Sequence, residues 1–132
     1  MKETFLAFIL FCFTYNLKAQ DQKLRTFGAQ TGYEINEFKK NDIVFKCSVN
    51  KQLDTVKVWT IDPKFNTAEG YTIGTKFGSI SPLLSRQVYK LAGYGYFIRL
   101  YSGWILAFCE GKSCTEELLT ENSEVRWIEK IK

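Results

Sequence analysis

The sequence predicts an α+β fold: a mainly antiparallel sheet of about five or six strands, with two or three short helices on one face. Runs rich in β-branched and aromatic residues, separated by turn-like segments, supply the strands. Two short stretches with helix-start chemistry supply the helices. The length of the chain, 132 residues, fits one such domain with an adequate apolar core.

The elements follow in order from Ile43. Residues 20–32 are polar, carry two glycines and read as a loose lead-in. Ile43–Val49 and Thr55–Ile61 are β-rich, and the turn-like Asn50–Asp54 between them makes an antiparallel hairpin. Asp62-Pro63 ends the second strand, because proline has no N–H for a ladder. Gly70 and Gly74 bracket a three-residue strand, Tyr71–Ile73, and Thr75 is the expected N-cap of a helix placing Phe77, Ile80 and Leu84 on one face. Ser81-Pro82 offers a second helix start. Extended chain is expected over Arg86–Leu91, then a turn at Ala92–Gly95. Tyr96–Tyr101 and Trp104–Cys109 form a hairpin around a two-residue loop, Ser102-Gly103, which pairs Tyr101 with Trp104, Arg99 with Leu106 and Phe97 with Phe108. Ser113 and Glu116 form a capping box for a helix through Leu118 and Leu119. Val125–Ile131 is the last strand.

The N-terminus differs in kind. Lys2 precedes an uncharged run from Thr4 to Leu17 containing Phe5, Leu6, Phe8, Ile9, Leu10, Phe11 and Phe13, and Lys18-Ala19 closes it. This is the layout of a signal peptide, and the run is shorter than the roughly 20 apolar residues that a spanning helix needs. Residues 1–19 are therefore expected to be cleaved between Ala19 and Gln20, leaving 20–132 as a single small exported domain. Lys2, Glu3 and Lys18 leave with the leader, which takes the net charge from +4 to +3. Cys12 lacks the small residues before it that lipidation requires.

The expected location is the periplasm or the exterior, an oxidising compartment where disulfides persist. Among Cys47, Cys109 and Cys114, the favoured pair is Cys109 with Cys114 across a short loop, with Cys47 a buried small hydrophobe. A bond from Cys47 to one of the other two is the alternative.

The chain has no histidine. That removes imidazole-activated nucleophiles and imidazole metal ligation. The adjacent carboxylates Glu34 with Glu37, and Glu116 with Glu117, do not converge as a glycosidase pair would. Gly93-Tyr94-Gly95-Tyr96 lacks the lysine and Ser/Thr of a phosphate loop, and Asp54–Asp62 lacks regularly spaced acidic oxygens for calcium. No catalytic residue, metal site or cofactor is expected. Interspersed charges and the absence of a basic stripe argue against nucleic acid. After cleavage no stable membrane insertion is expected, and the oligomeric state is open.

The positive feature is aromatic. Tyr89, Tyr94, Tyr96, Tyr101 and Trp104 crowd one segment and form a candidate recognition surface for a protein or glycan, against the alternative that they pack within the sheet. The stretch Thr67–Thr75, with the pattern T-x-x-G-x-x-x-G-T ahead of a short helix and a hairpin, resembles that of small exported bacterial domains that are themselves uncharacterised. The leader's ending, Leu17-Lys18-Ala19-Gln20, resembles signal peptides of Bacteroidota-type bacteria. These resemblances imply a layout and no activity. The expected function is that of a non-enzymatic binding or accessory protein of the periplasm or cell surface. A small carboxylate-based hydrolase of envelope or extracellular polymer, and a structural envelope component anchored by an uncleaved N-terminal helix, are the rivals.

Overall fold

The computed structural model describes residues 34–132. The expected leader, its cleavage site and the lead-in over 20–32 lie outside the described residues. Seven strands, β1 (Glu34–Lys40), β2 (Ile43–Val49), β3 (Thr55–Thr60), β4 (Tyr89–Leu91), β5 (Gly95–Arg99), β6 (Ile105–Phe108) and β7 (Trp127–Ile131), belong to one sheet in the order β1-β2-β3-β7-β6-β5-β4. Helical structure among the described residues amounts to a three-residue 3₁₀ turn, Phe77–Ser79, and the four-residue α1, Pro82–Ser85. The fold is nearly all β, and the expected α+β class with several packed helices is overturned.

The backbone contacts divide into two compact units. One comprises the described residues up to Thr60 with Ile131–Lys132; the other is Ile61–Lys130.

The first unit begins with a strand that the sequence reading missed. Lys40 pairs with Ile43 across Asn41-Asp42, whose φ angles of 52° and 64° define a two-residue hairpin turn of the primed kind. Asn and Asp tolerate this left-handed backbone better than other non-glycine residues. The register sets Phe38 opposite Phe45, their rings 5.5 Å apart and both fully buried. Each such side chain contributes roughly 1.5–3 kcal/mol by leaving water. The expected β2–β3 hairpin is present. The side chain of Asn50 holds its loop, with Oδ1 accepting from the N–H groups of Gln52 and Asp54. At the end of the chain, the Lys132 N–H donates to the Val56 carbonyl, 3.1 Å away.

In the second unit, β4–β7 are antiparallel neighbours. β6 is buried on both faces, so its sequence Ile105-Leu106-Ala107-Phe108 shows no alternation. The β5–β6 hairpin differs from expectation by one residue: Phe97 pairs with Ala107 and Arg99 with Ile105. Its loop has three residues, Tyr101-Ser102-Gly103, with Gly103 N–H bonded to Leu100 O and Leu100 N–H to Trp104 O. Gly103, at φ 89°, supplies the left-handed residue that closes such loops, and the extra residue shifts every pair.

Three local expectations also fail. Tyr71–Ile73 is not a strand, because Thr67–Thr75 forms two successive turns in which Thr67 Oγ1 accepts from Tyr71 N–H and Thr75 Oγ1 from Thr72 N–H. Thr75 therefore caps no helix. The 3₁₀ turn starts after Lys76, which makes no side-chain cap bond. Ser113 and Glu116 start no helix either. Cys114, at φ 66°, sits where the first turn would be, and the Glu116 carboxylate accepts from the Lys112 N–H instead. Ser81 and Pro82 stand at the N-cap and first position of α1, whose Leu84 is buried, but the Ser81 side chain makes no cap bond.

Candidate functional site

The five aromatic residues singled out from sequence do not form one surface. Tyr96 and Trp104 keep only 8% of their exposure each, whereas Tyr94 and Tyr101 keep 72% and 78%. Tyr96 points its hydroxyl inward and donates to the Glu117 carbonyl at 2.7 Å. Trp104 packs edge-on against Phe65, ring centroids 4.8 Å apart. Tyr94 and Tyr101 flank β5 at opposite ends, roughly 20 Å apart at about 3.3 Å per residue. Crowding in sequence becomes dispersion here, because a strand alternates its side chains and a hairpin separates its tips.

What remains together is the β4–β5 hairpin. β4 is an edge strand whose three residues are all exposed. Tyr89 (36% exposed) and Leu91 (49%) share one face, and Tyr94 is exposed in the adjoining turn. Tyr89 stacks on its cross-strand partner Phe97 at 5.6 Å, which fixes its ring while leaving an edge in water. Phe97 in turn meets Trp127 edge-on at 6.0 Å, and the Trp127 indole N–H donates to the Glu129 carboxylate. Sequence reading missed Leu91, whose exposure depends on the strand order.

The hairpin turn is tied to the disulfide loop. Cys109 and Cys114 are bonded, as favoured from their spacing. Gly93 N–H donates to Thr115 Oγ1 at 2.8 Å, directly after the bridge. Cys47 departs from expectation: it is disulfide-bonded rather than a free buried thiol.

A second polar cluster was not foreseen. The Glu69 carboxylate accepts from both the N–H and the hydroxyl of Ser102, each at 2.8 Å. The Lys130 ammonium donates to the Ser102 carbonyl at 3.3 Å and lies 5.4 Å from the Trp104 ring centroid. Burial alone would raise the Glu69 carboxyl, but the bonds from Ser102, its own N–H and Thr67 together hold it below the ordinary value of 4.5. Burial lowers the Lys130 ammonium. The Ser102 hydroxyl thus serves a carboxylate that fastens the 67–71 turn to the β5–β6 loop. Glu69 and Ser102 are 33 residues apart, and no local pattern links them.

Among the described residues no group of three or more His, Cys, Asp or Glu side chains is placed to hold a metal ion. No helix there is long and apolar enough to cross a membrane. No family model matches the chain. No curated protein matches it. Among solved structures it is similar to the crystal structure of the uncharacterized protein yfeY from Escherichia coli, at 14% identity and a TM-score of 0.49, covering 76% of this chain and 81% of that one.

Proposed function

We propose that the chain is an exported, non-enzymatic accessory domain of the periplasm or cell surface that engages a partner protein through its β4–β5 hairpin. The observation that carries this reading is the exposure of Tyr89 and Leu91 on an edge strand with no buried residue, together with that of Tyr94 in the adjoining turn. Large apolar side chains grouped on a hairpin are the usual anchors of a protein contact. The Cys109–Cys114 disulfide is compatible with an oxidising compartment. The downward shift of Glu69 is that of a structural hydrogen-bond acceptor, opposite to the upward shift of a carboxyl poised as a general acid.

Two measurements test the reading. Intact mass of protein taken from the native envelope is expected to lack residues 1–19; a retained leader favours the anchored structural component instead. Immobilised exported protein is expected to retain an envelope protein that the Y89S/L91S/Y94S variant releases, with both versions melting at similar temperature. Equal retention by the two proteins defeats the hairpin assignment.

A further inference from the structure

We infer that the partner presents an extended, acidic segment, which adds to the sheet as an eighth strand along β4; this rests on the hairpin reading above. Two observations combine. The Leu91 carbonyl accepts from the Tyr94 N–H at the turn, so the main-chain groups of Leu91 point toward β5. Antiparallel pairing alternates, which turns the N–H and carbonyl of Lys90 away from β5, toward the open edge. A donor and an acceptor there are the template for strand addition.

The second observation is charge. Between Glu69 and Glu110 the chain has no acidic residue and four basic ones, Lys76, Arg86, Lys90 and Arg99. Arg86 and Lys90 lie beside and on this edge, both exposed, and neither makes an ion pair with another described residue. Carboxylates meet the hairpin at its turn end, where the Gly93–Thr115 bond joins the loop carrying Glu110, Glu116 and Glu117. The strand itself and its far end are cationic. An incoming strand with carboxylates opposite Lys90 and toward Arg86, and apolar side chains against Tyr89 and Leu91, satisfies both features.

Two other occupants fit less well. In an antiparallel pairing of β4 with a second copy centred on Lys90, the two lysines face each other, which destabilises the pair. An anionic lipid surface matches the charge and the aromatic rings, but it leaves the outward main-chain groups of Lys90 without directional partners.

The test is amide chemical-shift mapping on the exported protein at low salt, titrated with a synthetic hexapeptide of alternating Glu and Val. Shifts are expected at Tyr89, Lys90 and Leu91, with the largest at Lys90 as its N–H gains an acceptor. R86E/K90E is expected to weaken binding by at least about tenfold, and a Lys-Val hexapeptide to give no shifts at β4. Shifts absent up to millimolar peptide overturn the inference. So do equal responses to both peptides, a concentration-dependent dimer lost in Y89S/L91S/Y94S, or binding to phosphatidylglycerol vesicles in place of peptide.

The envelope-capture assay separates this inference from the reading beneath it. If R86E/K90E keeps the captured protein while Y89S/L91S/Y94S loses it, the hairpin assignment stands and the acidic strand falls. Loss by both variants, together with the Lys90 shift on adding the Glu-Val peptide, supports the acidic strand.

Discussion

Glu69 illustrates how one side chain can hold two distant segments. Its carboxylate accepts two bonds from Ser102, so Glu69→Gln exchanges charge-assisted bonds for neutral ones and is expected to lose about 1 kcal/mol of stability, the lower end for a partly exposed group. Because the folded state holds this carboxyl below 4.5, the contribution is present above that pH and is lost as pH falls through the folded value. Urea midpoints for wild type and Glu69→Gln should therefore converge in acid; a gap that stays constant down to about pH 2 contradicts the assignment. Gly95 is a case of close approach. A Cβ there would stand 2.7 Å from the Phe108 carbonyl at a φ of 153°, so Gly95→Ala is expected to destabilise by about 1–3 kcal/mol, seen as a lower melting temperature. Tyr96→Phe removes the bond to Glu117 O and should cost about 1 kcal/mol in the same measurement.

At the level of elements, the hairpins show what was legible and why the rest was not. The β2–β3 hairpin was readable because its strands are β-branched and Asn50 is a turn residue acting on its own neighbours. The β5–β6 hairpin was found but set one residue out, since Ser102-Gly103 admits either a two-residue loop or the last part of a three-residue one. β1 was overlooked because Phe38 is its one buried residue, leaving no alternation to read. Its Asn41-Asp42 turn was the available signal. The helix expected after Ser113 failed through a longer-range constraint, the disulfide loop and its bond to the β4–β5 turn. Replacing Cys109 and Cys114 by serine should lower stability by about 2 kcal/mol from loop entropy. The Gly93 amide should also exchange faster with solvent, because its acceptor Thr115 is no longer tethered beside the bridge. An unchanged Gly93 exchange rate in that variant shows that the loop holds the turn without its disulfide.

At the level of the whole molecule, the cysteines give a direct check. Cys109 and Cys114 are bonded to each other, so alkylation before reduction should add no mass at these two positions, and a carbamidomethyl group found on either contradicts the pairing. The aromatic content, read as one recognition surface, was distributed by the sheet among buried packing and two separate hairpin tips. The sequence by itself determined the β-rich segments, the Cys109–Cys114 pairing as the favoured one, and the removal of histidine chemistry. These depend on residue type and short spacing, which act within a turn or a strand. Only the tertiary structure decided that the helical stretches give way to turns, that Glu69 meets Ser102, and that Tyr89, Leu91 and Tyr94 stand together at an open edge. Those outcomes follow from strand order and register, set by contacts between residues far apart in the chain, where local patterns carry no information.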